Sequence, residues 1–367
     1  MKFFCYRKDL SDALNFVTRA VAVKPLTPIL SGVYIKAEGA LLELHANNQT
    51  TGIVTKIPAK IDEPGNIVVS GKRFQEFVRG LSDEMINCYI DGNEFVIDGS
   101  NSKVSLLTMA PSDFPTVKQF DTTPTFMIRA DRLRNLFRRS IFAAAKNDSR
   151  PVFTGINFAI KDNCLSFNAT DTHRIAIAHE NFITATPDCN FILPAESASA
   201  ILARLPNSDS DTVDISVTEK YIGFAFENVF LTSRRIEGQF PPTDRVIPQS
   251  TATNILVDTK EFLDALNFIK LMSKETEFNT VRLGIGSDSI DISASSREIG
   301  DAVKKITAEI TGDDLDISFN IDYLIDVLKV IAEPKIKVGF NDKFSPAVFT
   351  EPGNDKFIYV TTPVRTA

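Results

Sequence analysis

Alternating apolar and polar positions run through much of the chain, and the alternation returns at a long interval. LLELHA, CLSFNA and SIDISA end at Ala46, Ala169 and Ala294. Each puts every second side chain on one apolar face, the period of a strand with one side buried and one side wet. The three alanines lie 123 and 125 residues apart. Each closes the same longer phrase of strand, short turn, second strand and polar stretch: SGVYIKAEGALLELHANNQTTGI from Ser31, TGINFAIKDNCLSFNATDTHRIAI from Thr154 and TVRLGIGSDSIDISASSREIGDA from Thr280. Turn signals GNE at 92–94, KDN at 161–163 and SDS at 287–289 separate short strands.

A second pattern has apolar residues three and four apart, the helical period. VSGKRFQEFVRGL ends at Leu81, LPAESASAILARL at Leu205 and FNIDYLIDVLKVI at Ile331, at intervals of 124 and 126. An earlier helix recurs as LSDALNFVTRAV from Leu10, DRLRNLFRRSIFAAA from Asp131 and EFLDALNFIKLM from Glu261, with DALNF verbatim at 12–16 and 264–268. Phe114-Pro115 and Phe240-Pro241 close the first two copies, 126 residues apart. Four landmarks on one spacing predict three repeats near 1–120, 121–248 and 249–367. Each is long enough to bury its own core, unlike a solenoid unit. The predicted class is α+β, with two helices per repeat packed on antiparallel sheets and six helices in all.

Charge changes the picture. The chain carries a net −7, yet the first third holds 13 basic and 13 acidic residues and the last third 13 and 19. Eleven of the eighteen arginines fall in the middle repeat. On the helix after Asp131, Leu133, Leu136, Phe137, Ser140, Ile141 and Ala144 share one face at 100° per residue. Arg132, Arg134, Arg138 and Arg139 are expected on the flanks and the opposite side, with Arg129 alongside. Lys72, Arg73 and Arg79 lie on the second helix of the first repeat. A basic surface on an acidic protein attracts a phosphate backbone locally and repels it elsewhere. No zinc finger or basic-region zipper accompanies it, so any such contact is expected to ignore base sequence.

Catalytic and metal patterns are weak. GNIVVSGKR at 65–73 has five residues between glycines where a phosphate loop needs four, and Arg73 stands in place of Ser or Thr. There is no G-x-S-x-G elbow. His45, His173 and His179 show no ligand spacing, so neither metal nor cofactor is expected. Cys5, Cys88, Cys164 and Cys189 fit no disulfide framework or zinc pattern and point to a reducing compartment. Arg7 interrupts the N-terminus too early for a secretory core, and no run of 18 apolar residues exists, so the cytoplasm is the expected location. The one dense polar cluster is Asp171-Thr172-His173-Arg174. It reads either as a hydrolase's general base, His173 oriented by Asp171, or as a turn in which Asp171 bonds nearby amides. A protein-binding repeat scaffold that ignores DNA is a further alternative.

The motifs TPIL at 27–30, ATDTHRIA at 169–176, TSRRIEGQFPPTDRVIP at 232–248, FNIDYLIDVL at 319–328 and YVTTPVR at 359–365 carry a resemblance. With them the chain resembles the bacterial DNA polymerase III beta subunits, or beta sliding clamps, over essentially its whole length. The resemblance implies three DNA-clamp domains, a head-to-tail homodimeric ring around double-stranded DNA, and a non-catalytic processivity role. The implied partners are the replicative DNA polymerase, a clamp loader that holds the ATP site, and other replication and repair proteins bearing a clamp-binding motif. It implies a peptide pocket from Arg150, Phe153, Thr170, His173, Arg174, Ile175, Pro241, Arg245, Val246, Ile247, Asn320, Tyr323, Pro363 and Val364. It places DNA contacts at Lys24, Lys72, Arg73, Arg132, Arg138, Asn147 and Arg234, and the dimer contact at Val104, Leu106, Leu271 and Met272. Pro151 and Val152 stand where related clamps often carry aromatics, and Phe153, Phe344 and Pro346 are expected to reshape the pocket.

Overall fold

The computed structural model describes residues 1–120, 123–181, 188–208, 211–243, 245–273, 279–296 and 300–365. Six α-helices form among them: α1 (Arg7–Val17), α2 (Gly71–Gly80), α3 (Ala130–Ser140), α4 (Ala195–Leu202), α5 (Thr259–Ser273) and α6 (Ile321–Leu328). Each begins where a strand stops. The start of α6 is fixed by Asn320, whose side-chain oxygen accepts the Asp322 N–H at 2.9 Å. Between strands the predicted turns are present. Asp162 and Asn163 take φ of 51° and 61°, the doubled left-handed geometry of a tight hairpin turn, which short polar side chains tolerate.

The strands form antiparallel sheets of thirteen, nine and four members. The largest is continuous across two repeats, because Val229–Arg234 of the middle repeat pairs with Thr51–Pro58 of the first. In the nine-stranded sheet Arg174–Asn181 of the middle repeat pairs in the same way with Asn354–Thr361 of the last. Pairing of this kind removes strand edges that a lone repeat would leave open. It also makes compactness cut the chain differently from sequence repetition. One compact unit comprises Met1–Arg134 with Glu196–Arg235, the other Asn135–Ala195 with Ile236–Ala367.

In the first unit α1 and α2 lie side by side on the large sheet, tied by Gln75 Nε2 donating to Asn15 Oδ1 at 2.9 Å. Phe3, Phe74 and Phe95 are fully buried beneath them, with the Phe74 ring edge-on to Phe95 at 5.4 Å. In the second unit Phe137 of α3 packs on Phe158 and Phe167 at 5.9 and 5.2 Å, and α5 packs beside α6. Burying such a phenyl group stabilises by about 1.5–3 kcal/mol, so the apolar stripes read from the sequence hold these helices down.

Two expectations for α3 need correction. The helix ends at Ser140, and Ile141–Ala143 continue as one 3-10 turn. The arginines also do not form one free cationic face. Arg139 is 5% exposed, and its Nη2 donates to both carboxylate oxygens of Glu351 at 2.7 and 2.9 Å, with the guanidinium 5.4 Å from the Phe357 ring centre. Arg134 donates to the carbonyls of Leu205 and Pro206, and Arg129 forms a bidentate pair with Asp131. Arg138 is exposed. A charge can sit on the buried side because Glu351, 212 residues away, neutralises it. Helical periodicity carries no trace of that partner.

Candidate functional site

The polar cluster at 171–174 is a turn between two paired strands, Cys164–Thr170 and Arg174–Asn181. Asp171 Oδ1 accepts the N–H groups of His173 and Arg174, both at 3.1 Å, and Thr170 Oγ1 accepts the Thr172 N–H at 3.0 Å. These bonds hold Thr172 at φ 77°, unusual for a β-branched residue. The His173 carbonyl accepts from the Thr362 N–H and hydroxyl at 2.9 and 3.0 Å, which fastens the turn to the end of the chain.

Arg174 organises the surroundings. Its Nε donates to Asp171 Oδ2 at 2.9 Å, Nη1 to Asp326 Oδ2 at 2.8 Å and Nη2 to the Phe142 carbonyl at 2.6 Å. The guanidinium carbon stands 4.4 Å from the Tyr323 ring centre and 5.6 Å from that of Phe142. Burial alone would disfavour the charge, but the hydrogen bond to Asp326 and the carboxylates of Asp171 and Asp326 more than offset it and push the Arg174 pKa above its ordinary value. Burial likewise pushes the phenols of Tyr359 and Tyr323 up, so both stay neutral at physiological pH. Asp171 has both oxygens engaged by backbone amides and Arg174. Among the described residues no hydrogen bond joins it to the His173 imidazole, so the acid–base pair of the hydrolase alternative is not supported.

Two depressions open on either side of Arg174, both within the second unit. One has a volume near 250 Å³ and an apolar floor, brought together from Phe153, Thr170, His173, Ile175, Pro241 and Val246, all anticipated from the sequence. Pro242, Thr243, Pro346, Val360 and Thr362 complete it. The other, near 820 Å³, is polar and includes the anticipated Asn320 and Tyr323 together with Phe142, Asp148, Asp322 and Asp326. Asn147, assigned by resemblance to DNA contact, lines this second depression. Ile247 packs beneath the first on Ile175 and Val360. Arg150 stacks over Phe153 at 4.4 Å and pairs with Asp148, while Arg245 is exposed. Pro363 and Val364 run past the groove, where the Val364 N–H donates to the Ser318 carbonyl at 2.8 Å. Val360 and Asp326 escaped selection because they look like ordinary members of a buried strand and an amphipathic helix; only the register of the folded strands makes them neighbours of Arg174.

The other anticipated residues are distributed as follows. Lys24 sits in an exposed loop between Val23 and Leu26, both almost wholly exposed. That loop starts against α2, since Val21 packs on Gly71, and Lys72 and Arg73 are exposed on the next turn. Arg234 is exposed at the end of its strand, and Arg132 is half-buried on α3. Val104 and Leu106 are half-buried on Lys103–Met109, which has no second strand partner along 103–107 among the described residues. Leu107 is 75% exposed there. Leu271 and Met272 end α5, with Leu271 73% exposed. In the four-stranded sheet, Gly300–Thr307 pairs only with Ser289–Ser296 among the described strands and exposes Val303.

Comparison with known proteins gives a consistent answer. Residues 1–118, 127–242 and 244–365 match the N-terminal, central and C-terminal domains of the DNA polymerase III beta subunit. The chain belongs to the DNA polymerase III beta subunit family. It is 30% identical to the beta sliding clamp of Bacillus subtilis and 27% identical to that of Staphylococcus aureus, covering 100% of both sequences in each case. The crystal structure of the Bacillus subtilis DNA polymerase sliding clamp superposes with a TM-score of 0.92 at 30% identity, covering all of both chains. A Pseudomonas aeruginosa sliding clamp bound to griselimycin superposes at 0.91 with 26% identity, again over both full chains. The α+β class with antiparallel sheets agrees with the sequence reading.

Proposed function

We propose that the chain is a non-catalytic sliding clamp that encircles double-stranded DNA and tethers the replicative DNA polymerase and other partners through the groove beside Arg174. The match of three successive clamp domains over the full length carries this reading. The three sequence repeats, 1–120, 121–248 and 249–367, are its clamp domains, and two chains close head to tail into a cytoplasmic ring. Edge strands support that closure. Among the described residues, 103–107 of Lys103–Met109 and the strand Gly300–Thr307 each have one edge without a strand partner beside exposed apolar side chains, Leu107 on one and Val303 with Phe268 and Leu271 near the other. A heterologous contact of this kind closes a ring when its rotation allows.

Retention on DNA is then topological: leaving the duplex requires opening a protein interface. Contacts from Lys24, Lys72, Arg73, Arg132, Arg138, Asn147 and Arg234 to phosphate stay weak and movable, and a tethered polymerase gains effective concentration at the primer end. A clamp loader supplies the nucleotide-driven opening. The groove suits a short linear segment, with an apolar floor for anchoring side chains and a few polar groups that fix orientation. The test is to load the protein on nicked circular DNA and then cut the circle. A linked ring slides off the new ends, and equal retention on circles and linear DNA overturns the mechanism. In solution the particle should show about twice the 40.6 kDa chain mass; a monomer at micromolar concentration removes the ring.

A further inference from the structure

The turn that shapes the groove has a twin in the first repeat, 123 residues earlier. There Asn48 Oδ1 accepts the N–H groups of Thr50 and Thr51 at 3.1 and 2.7 Å, as Asp171 does in the second unit. Gln49 sits at φ 73°, as Thr172 sits at 77°. The Arg234 N–H donates to the Thr50 carbonyl at 2.7 Å, as the Thr362 N–H does to His173. The same scaffold is therefore built twice, once in each unit.

The surface laid on that scaffold differs. In the second unit one row across three strands reads Ile175, Val360, Val348. The matching row in the first unit reads Gly52, Thr232, Gly223. The missing side chains make room for the connector that leaves the first repeat. A Cβ on Gly52 would lie 2.8 Å from Val117 Cγ1, and one on Gly223 would lie 2.4 Å from Phe120 Cδ2. Val117 is 2% exposed, Phe120 lies 6.0 Å from the Phe230 ring, and Lys118 Nζ stands 5.1 Å from the Tyr221 ring centre. Asn47 reaches the carbonyls of Pro115 and Thr116 at 3.4 and 3.5 Å. In the second unit, counting from Phe240-Pro241, the residues at the places of Val117 and Phe120 are Thr243 and Val246, and Val246 is 49% exposed beside an open groove.

We infer that the connector 115–120 is a built-in ligand: it fills, in the first unit, the site that the second unit leaves open for a partner's linear segment. This rests on reading the groove beside Arg174 as a peptide site. The first junction is then a second apolar peptide site that its own chain keeps occupied, so each chain offers partners one groove.

The probe is a fluorescein-labelled synthetic peptide of the connector's own sequence, FPTVKQF, followed by anisotropy on the full-length protein. Val117→Ala with Phe120→Ala should bind it at least tenfold more tightly than the unaltered protein. Adding Gly223→Val, which places methyl groups where the phenyl ring sits, should abolish that gain. No gain in a cooperatively melting double variant, or a gain that survives Gly223→Val, overturns the inference. Should the double variant not fold, tryptic cleavage after the exposed Lys118 decides: Phe120→Ala should be cut at least tenfold faster than the unaltered protein, and equal rates mean that the connector is not held as a ligand. Failure of the groove reading shows separately, as loss of partner-peptide binding by the unaltered protein.

Discussion

The two junctions between repeats use one backbone and reach opposite ends. In the first unit the residues that meet at the junction are small hydroxyls. Thr51 Oγ1 and Ser197 Oγ lie 2.7 Å apart, and the Ser233 hydroxyl donates to Ser197 at 2.8 Å. All three are buried. In the second unit the corresponding positions carry Arg174, Tyr323 and Thr361. The hydroxyls close the junction over a compact centre and let a connector lie across it. In the second junction the long guanidinium stacks on the Tyr323 ring and bonds across to Asp326, with a depression on each side of Arg174. The difference teaches that one strand–turn–strand frame can carry a packed connector in one place and an open groove in another, according to the side chains laid on it.

The second junction should also be the more fragile to single changes. Glu351→Ala leaves Arg139 charged and buried without a partner, which costs roughly 3–5 kcal/mol. Thermal melting should show the largest loss of any change named here, and pairing Glu351→Leu with Arg139→Met should recover most of it. A single variant that melts like the unaltered protein contradicts the pairing. Next in size is Arg174→Ala, which frees Asp171, Asp326 and the Phe142 carbonyl together. Affinity for a polymerase-derived peptide should fall at least tenfold, about 1.4 kcal/mol, by isothermal titration, while gel filtration of the particle is unchanged. Unaltered affinity removes Arg174 from the groove.

In the first junction Ser197→Ala deletes the shared partner of Thr51 and Ser233 and should cost about 1 kcal/mol, read as a shift in denaturation midpoint. A null result means that the two remaining hydroxyls satisfy each other. The smallest effect concerns His45, on the strand leading into the first turn. Burial pushes its pKa below the ordinary 6.5, although Glu43 at 3.1 Å opposes the shift. The folded state thus resists protonation, and the unfolded chain takes up the proton first. The His45 contribution to stability is complete above pH about 6.5 and is lost as pH falls below that. Melting temperature should decline between pH 7 and 5.5 more steeply in the unaltered protein than in His45→Phe; parallel profiles reject the assignment.

Much of this was legible beforehand. Strand alternation and helical spacing recur at fixed intervals, so the six helices, the hairpin turns and the family could be read from local pattern. Asp171 to Arg174 was visible as a dense polar cluster, and its turn chemistry follows from Asp171 accepting the amides two and three residues ahead. Local pattern could not say that Arg139 is buried, because its neutralising partner is 212 residues away. Nor could it show that Val360 and Asp326 border the groove, since strand register and the docking of α6 place them there.

The sequence by itself determined the repeats, the secondary structure and the kind of chemistry to exclude, because these depend on neighbours a few residues apart. Only the tertiary structure decided which half of the middle repeat packs with which end of the chain. It alone decided that glycines at 52 and 223 seat a connector in one junction while Ile175, Val348 and Val360 floor a groove in the other. Sheet pairing and packing volume act between residues more than a hundred positions apart, and no periodicity along the chain records them.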